Sequence, residues 1–554
     1  MTPMTPSRAQ KILGAAALGL LACQPPGSAA SGAVASSAAH LTTAADQAEL
    51  ETAIVVSYRA DAGVARDLTL SFLGAPSTEA VRYQLTLRSE SGALLRSFTG
   101  TVTGGEGLRT VTVRWDGRDS SGRVVPAGHY SLQLSSQAGG LTDEQEHTIQ
   151  VGTVSTPRLA SFAGLPVGTT AEALAPAAGG LPYTVYLGTL HSQTNHSDGG
   201  VPVSSCDGAE VPQRGALGPG AAYEMARAQA GLDFLLTTDH NHMFDGSTGV
   251  NSAADSAAAN RLFASGVSDA IAYSRSHPGF VAAYGSEWGV ISSGGHIGLV
   301  NPPALINWEH NGKGELIGSL EIAKNDYAAL YDLMKQKGVM GQFNHPRTGQ
   351  FSIGGSAFAY DSNGDAVMVL AEVANSSSFS KNTTESESSV PGFEAGWKRL
   401  LEAGYHVAPS SDQDNHCANW GLALHNRTGI LVPTGTPLTY GSLLSALRAR
   451  RVFATLDKTA QIILTADGHV MGERYVSTGP VHLHVQYASS AGHAASRVEV
   501  YEGVPGKVGS TLKLKDGDGD ITLTPAKGQH YYFAIITQTS GDKLWSAPLW
   551  VEQR

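Results

Sequence analysis

Leu232-Asp233-Phe234-Leu235-Leu236-Thr237-Thr238-Asp239-His240-Asn241-His242 is a short apolar run that ends abruptly in carboxylate and imidazole side chains. An apolar run of this length between turn signals reads as a buried strand. The same pattern recurs through the middle of the chain. The run at 184–190 is followed by His191-Ser192-Gln193-Thr194-Asn195-His196-Ser197-Asp198-Gly199, and that at 280–285 by Ser286-Glu287-Trp288, with Gly295-His296 soon after. The run at 339–343 ends in Asn344-His345-Pro346-Arg347, that at 367–370 leads to Glu372 and Asn375, and that at 405–408 to Asp412-Gln413-Asp414-Asn415-His416. Helical stretches at 221–230, 254–276, 327–337 and 394–403 fall between them. Strand and helix in alternation argue for an α/β domain with parallel strands, arranged as a barrel. Side chains at the C-terminal strand ends of such a barrel converge on one mouth. Imidazole and carboxylate together suit Zn, Mn or Fe in hydrolytic sites.

The order of these motifs resembles that of the PHP (polymerase and histidinol phosphatase) metallohydrolases. Arg450-Arg451-Val452-Phe453-Ala454-Thr455, closing the region ahead of further strands, is similar to the CehA/McbA branch. The resemblance covers 183–455 and implies a distorted (β/α)7 barrel holding two or three divalent ions. Position by position it implies metal ligation by His191, Asp198, His240, Glu287, His296, His345, Asp414 and His416, with Glu287 bridging two ions. The motif partner of His191, usually His, is Gln193 two residues on, which coordinates metal poorly beside imidazole; that metal position is weakened, rebuilt or empty. Asp412 offers an alternative register for the last motif and is otherwise a supporting carboxylate. Asp239 and Glu372 suit the orienting of ligating imidazoles. Catalytic roles fall to Glu287, Asp198, His345 and Arg347. Arg347 either grips a phosphate or carboxylate oxygen or is a solvated or structurally paired arginine. His242, Asn375 and Arg427 lie close by without an assigned role.

Outward from this centre the pattern changes. Alternating runs at 54–56, 68–72, 83–87 and 111–113 predict a small β-sandwich over 51–152. Its Trp115-Asp116-Gly117 and Pro126-Ala127-Gly128-His129-Tyr130 resemble the Ig-like domain of FlgD-type hook-capping proteins, which implies a spacer without catalytic role. A Gly-, Pro- and Ala-rich link spans 153–182. After 455, alternation at 461–465, 481–485, 498–501 and 531–536 predicts a second β-sandwich over 456–554. Asp516-Gly517-Asp518-Gly519-Asp520 lacks the Glu of a calcium loop, Lys527 standing there, and reads as a hairpin turn. His129, His482, His484 and His493 stand outside the motif order and read as structural. Gly285-Ser286-Glu287 lacks the second Gly of a nucleophile elbow.

At the N-terminus, Arg8 and Lys11 precede an apolar stretch from Ile12 to Leu21, the form of an export signal over 1–23. Leu20-Leu21-Ala22-Cys23 resembles a lipobox, which implies cleavage before Cys23 and a lipid on its thiol; the alternative is an ordinary signal cut near Ala30. Residues 24–50, rich in Ala, Ser and Gly, read as a tether. The expected location is the bacterial cell envelope, lipid-anchored at the periplasm or outer surface, or the secreted fraction. That leaves Cys206 and Cys417, as a bridge between two ligand-bearing loops or as two buried thiols. Acidic residues (48) outnumber Lys and Arg (37) in the 554-residue chain, which argues against a sequence-independent grip on nucleic acid. A small-molecule substrate is expected. The leading expectation is phosphoester hydrolysis; the alternatives are carbamate, amide or ester hydrolysis, and a non-catalytic metal-binding surface protein.

Overall fold

The computed structural model describes residues 50–105, 107–168, 180–206, 211–291, 294–388 and 390–554. The export signal 1–23, Cys23 and the tether up to 49 lie outside the described residues, as does 169–179 of the link. Among the described residues no helix is long and apolar enough to cross a membrane. Sheet dominates and helices are few.

Two sheets face one another in the N-terminal region. One joins Glu51–Val55, Arg66–Leu73 and Arg109–Trp115; the other has five strands, with Gly128–Ala138 paired to both Val81–Ser89 and Leu141–Val151. Alternate residues point inward, so Leu68, Leu70, Phe72, Leu85, Leu132, Leu134 and Ile149 form one apolar layer. Trp115 closes it, with its indole N–H donating to Arg118 O at 2.8 Å, and the Tyr130 hydroxyl donates to Pro126 O at 2.7 Å. Gly117 is required at its turn: its φ is +74°, and a Cβ would lie 2.9 Å from the Gly63 backbone.

The central strands form two open sheets, not one closed ring. Tyr183–Thr189, Phe234–Thr237 and Val281–Tyr284 pair in parallel. Antiparallel Arg427–Pro433 and Val452–Thr455 then extend the sheet, which continues without a break into Lys543–Ser546, Gly528–Gln538, Ala495–Gly503 and Leu512–Asp516. One core spans it, from Val185 and Phe453 to Val500 and Ile536. Strands after 455 therefore bury their apolar faces partly against the central region. The second sheet carries Ser286–Trp288, Ile297–Leu299, Gly341–Phe343, Met368–Asn375 and Ala408–Asp412. Isolated bridges, Ser192 with Asn415 and His240 with Glu287, join the two sheets. Both bridges sit among the expected ligand segments.

The expected helices at 327–337 and 394–403 form as Tyr327–Lys337 and Glu394–Ala403, stopped by Gly338 (φ +71°) and Gly404 (φ +118°). Those expected at 221–230 and 254–276 form as Pro219–Ala228 and Ser256–Ser276. The hairpin expected at 516–520 is corrected. Leu512–Asp516 pairs with Ala495–Gly503, whereas Asp520–Leu523 pairs with Val481–Ser489 in another sheet. The Asp-Gly run carries the chain between sheets.

Candidate metal centre

Glu287 is the hub of the site. Its Oε1 lies 2.9 Å from His296 Nδ1 and 3.2 Å from His345 Nε2; its Oε2 lies 3.0 Å from His191 Nε2 and 3.3 Å from His240 Nδ1. His191, just beyond the first parallel strand, donates from Nδ1 to Glu372 Oε1 at 2.8 Å. That bond fixes the ring so that Nε2 faces inward, 3.0 Å from Asp414 Oδ1 as well. A second lobe adjoins. Asp198 Oδ1 lies 3.8 Å from His240 Nε2 and 3.6 Å from His416 Nε2, and His416 Nδ1 donates to the Asp414 carbonyl at 2.9 Å. All these residues are buried.

Among the described residues, three groups in this centre have ligand atoms close enough to share an ion: His191-Glu287-His345, His240-Glu287-His296 and Asp198-His240-His416; a fourth, Glu90-His129-Asp516, lies elsewhere and is partly exposed. His240 would serve its two groups through opposite ring nitrogens. The donor set fits a divalent cation on a further observation. Asp198 Oδ1, His240 Nδ1 and both ring nitrogens of His296 are buried without a hydrogen-bond partner, although Glu287 Oε1 is 2.9 Å from His296 Nδ1. Buried polar atoms are rarely left so, and an ion at the point they face would satisfy them. His345 and Asp414 also hold left-handed backbone, with φ of +30° and +48°. Such strain costs about 1–3 kcal/mol per residue and persists where the surroundings over-determine it, as at functional sites.

Burial opposes charge on His191, yet Asp414, Glu287 and Glu372 outweigh it and raise its proton affinity well above the ordinary value. His345 and His416 shift up as well against burial, through Glu287 for the first and Asp198 for the second. Burial pulls His240 far down. For Glu287, burial is overcome by His191, His296 and His240, which hold its carboxyl well below the usual range. Burial pushes Asp198 up to about 6.

Around these groups lies a hydrogen-bonded shell, part of it unassigned by the sequence. Asp239 accepts from Thr194 N at 2.7 Å, Ser197 Oγ at 2.9 Å and Tyr284 OH at 3.1 Å, holding the loop between His191 and Asp198. Glu372 also accepts from His345 N at 2.6 Å and Asn375 Nδ2 at 3.0 Å. Asp412 is saturated by Leu190 N, Thr189 Oγ1 and Gln342 Nε2, and so supports the strand end without facing the ligand cluster. Asn344 and Gln342 had no sequence role. Asn344 Nδ2 donates to Glu287 Oε1 at 2.8 Å, and Gln342 links Glu372, Asp412 and Asn344. The signal that could have found Asn344 is its place directly before His345.

Gln193 points its amide nitrogen at the cluster, 2.6 Å from Glu287 Oε2 and 3.5 Å from both His191 Nε2 and Asp414 Oδ1. Arg347 lies beside the site, but its Nε is 3.1 Å from Asp143 Oδ1 on the N-terminal sandwich, and its guanidinium covers Phe393. His242 stacks on Trp308 with ring centroids 5.7 Å apart. Arg427 binds the Leu424 and Asn426 carbonyls and Glu385, a structural use.

Cys206 and Cys417 form a disulfide, with Cα atoms 5.6 Å apart. It ties the loop after Asp198 to the residue after His416. Closing 211 residues of chain is worth about 5 kcal/mol in the chain-entropy model. Cys206→Ser is therefore expected to lower thermal stability by several degrees, and to loosen metal binding through Asp198 and His416 first. Calorimetric unfolding and metal titration of the oxidised protein and the variant measure both effects.

No family model and no curated protein matches the sequence. Among solved structures, the chain shows slight likeness to an alkylpurine DNA glycosylase of Pseudomonas fluorescens bound to DNA with an abasic site analog. The identity is 12%, over 19% of this chain and 31% of that one, with a TM-score of 0.15. A beta-glucosidase of Listeria innocua in complex with isofagomine gives 14% identity over 19% and 16%, TM-score 0.14. A CARDB domain of Pyrococcus furiosus in complex with di-metal ions gives 10% over 19% and 87%, TM-score 0.14. The chain spans less than a third of the first two, and scores this low carry no argument about fold or activity.

Proposed function

We propose that the protein is an exported metal-dependent hydrolase of the PHP type, CehA/McbA-like, acting on a small-molecule ester, with phosphoesters as the leading class. The observation that carries this reading is Glu287, a buried carboxylate ringed by four imidazoles on the ends of strands from two sheets. A structural metal site is usually closed by four ligands; here ligand groups share residues and extend to Asp198 and His416, as a multi-ion site requires. Divalent ions held there supply Lewis acidity and make water acidic near neutral pH. The chain's own residues orient the ligands, exclude bulk water and hold the protons: Glu372 fixes His191, the Asp414 carbonyl fixes His416, and Asp239 fixes the loop between His191 and Asp198. The disulfide supports an oxidising compartment, and with it export; lipid attachment at Cys23 rests on the sequence alone.

The test is metal analysis of the purified chain, with turnover of p-nitrophenyl phosphomonoesters, phosphodiesters and carboxylic esters under Zn, Mn and Fe loading. Two or more ions with metal-dependent turnover support the reading. Stoichiometric metal with no turnover of any of these esters overturns it in favour of a metal-binding surface protein.

Proton linkage gives a second prediction. In the metal-free protein the raised His191, His345 and His416 hold protons that ligation must displace. Loading with zinc at pH 7 is expected to release on the order of one to three protons. Calorimetry in two buffers of different ionisation enthalpy counts them. The signs for stability are opposite in the two forms. The raised histidines stabilise the metal-free fold fully below their unfolded value near 6.5, and this is lost as pH rises through their folded values. Metal-loaded protein instead gains stability over that range.

A further inference from the structure

The turn that carries His345 is held from several sides, and one hold comes from the N-terminal sandwich. His345 sits in left-handed backbone (φ +30°), a strained form that persists only where the surroundings enforce it. Glu372 anchors it from within, accepting from His345 N at 2.6 Å. Helix Glu394–Ala403 blocks it from one side, where a Cβ on Gly396 would lie 2.1 Å from the Pro346 carbonyl oxygen. From the sandwich, Asp143 Oδ1 pairs with Arg347 Nε at 3.1 Å, two residues beyond His345. Gln145, two residues on along the same strand, accepts from Gly392 N at 2.8 Å through Oε1. The segment it holds is tied to the ligand-bearing sheet, because Gly392 bridges Ala374 and Phe393 N donates to Val373 O at 2.8 Å. The two gripped segments also meet each other. The Arg347 guanidinium lies 5.2 Å from the centre of the Phe393 ring, and that ring lies 6.0 Å from the His345 imidazole. Glu51, which opens the first sandwich strand, lines the same narrow cleft as His345, Arg347 and Asp414.

The sandwich has no need of these two polar side chains for its own packing. Asp143 and Gln145 stand opposite Ser136 and Leu134 of the neighbouring strand, so they share the face that sends Leu134 and Ile149 into the apolar layer. Both are buried. A buried carboxylate is costly unless it is paired and hydrogen-bonded. Asp143 Oδ2 accepts from Thr52 N at 2.9 Å, Thr52 Oγ1 at 2.6 Å and Gln145 Nε2 at 3.1 Å, which fixes the carboxylate in place. Among the described ion pairs its cation is Arg347, supplied by the central region. A brace must itself be fixed, and the sandwich is: Ser496 Oγ donates to Gln150 Oε1 at 2.7 Å, and Arg497 pairs with Glu90.

We infer that Asp143, supported by Gln145, is a positioning residue for the metal centre: through Arg347 it holds the His345 turn in the strained form that lets His345 share an ion with His191 and Glu287. This rests on the metal-site part of the reading above and gives the N-terminal sandwich a part in it, where the sequence resemblance implied only a spacer. None of the contacts just described for Asp143 and Gln145 reaches Asp198, His240 or His416, so that ligand group serves as the internal control.

The experiment titrates the full metal-free chain with zinc against a chromophoric chelator. His345→Ala and His416→Ala identify which binding step belongs to which ligand group. Asp143→Asn, which keeps the shape and removes the charge, is expected to weaken the His345 step by roughly 10–100-fold, the range for losing an outer-shell partner, and to leave the His416 step unchanged. Arg347→Gln should give the same selective loss, and the double variant no more than either alone, because residues in one chain of contacts are not additive. Asp143→Glu, which keeps the charge, should retain part of the affinity. Hydrogen exchange of the metal-free chain, read by mass spectrometry, gives a second measure: Asp143→Asn should speed exchange at 344–350 and 391–393 and leave 191–198 as in wild type. Equal weakening of both steps with a lowered melting temperature makes Asp143 a general stabiliser and overturns the inference. So does unchanged affinity, or an additive double variant. Should Asp143→Asn not fold, Arg347→Gln and Gln145→Leu carry the same comparison. Should wild type bind no zinc, the metal reading fails on its own, and hydrogen exchange decides whether Asp143 holds the turn: selective loosening at 344–350 supports it, and uniform or absent loosening overturns it.

Discussion

Glu287→Gln is expected to remove at least one bound ion and to lower turnover on the order of a thousandfold or more, equivalent to about 4 kcal/mol of transition-state stabilisation. Two of the three ligand groups contain Glu287, and the third, Asp198-His240-His416, does not. The substitution keeps the shape of the side chain but replaces an anion with a neutral amide in a buried space. Glu287 Oε2 already accepts from Gln193 Nε2 at 2.6 Å, so an introduced amide nitrogen would oppose a donor there. Burial gives the loss its size. At zero exposure no water replaces the missing carboxylate, and four imidazoles lose their common neighbour. Metal analysis and kinetics together check the expectation. A variant retaining full metal content and activity would remove Glu287 as the hub. His416→Ala makes the contrast, because it breaks only the third group and should leave the His191-Glu287-His345 position filled. The metal-free variant also has a pH signature. Glu287's depressed carboxyl stabilises the fold above its unfolded value near 4.3, and that contribution fades as pH falls through its folded value. Glu287→Gln should therefore show a weaker loss of stability on acidification than wild type.

The site was more legible than the fold, for a physical reason. A ligand-bearing strand end announces itself locally: an apolar run stops and a His, Asp or Glu begins, as at Thr237 to His240 and Phe343 to His345. All nine expected metal-site residues converge on the Glu287 cluster or its Asp198 lobe, Gln193 included. Sheet pairing is not local. The runs at 453–455 and 531–536 look like strands of separate domains, and only three-dimensional packing shows them in one sheet with Tyr183–Thr189. The same blindness hid the sandwich contact. Glu51 and Asp143 sit in ordinary alternating strands, and nothing in their spacing foretells Arg347. Helix Tyr440–Arg448 opens on a reciprocal cap between Thr439 and Ser442, which the sequence hides because Ser stands where the usual signature has Glu or Gln. Asn344 and Gln342 are neutral amides whose roles come from where their partners lie.

Gln193→His is expected to tighten metal binding at the His191 side of the cluster by at least the roughly 10–100-fold that changes in outer-shell partners produce. The wild-type amide nitrogen stands among His191 Nε2, Glu287 Oε2 and Asp414 Oδ1, the position from which a ligand atom would share an ion with them. An amide nitrogen carries no lone pair for a metal. Turning the amide to present its oxygen would place that oxygen against the Glu287 carboxylate and take it from Ser197 Oγ, which donates to it at 3.2 Å. Imidazole offers a lone pair at similar reach and is the better ligand for Zn, Mn or Fe. The space is fully buried, so the gain depends on the ring fitting beside Trp420, whose indole donates to the Gln193 carbonyl at 2.9 Å and holds the backbone in place. Competition with a chelator of known affinity measures the tightening, and turnover on the same preparation tells whether the extra affinity helps chemistry. If affinity rises while turnover falls, Gln193 serves to keep an ion at this position exchangeable or absent. If both rise, the glutamine marks a weakened third position. Unchanged affinity would mean that Glu287 and Asp414 already satisfy the ion from the opposite side, and that the amide is only a hydrogen-bonding brace for Glu287.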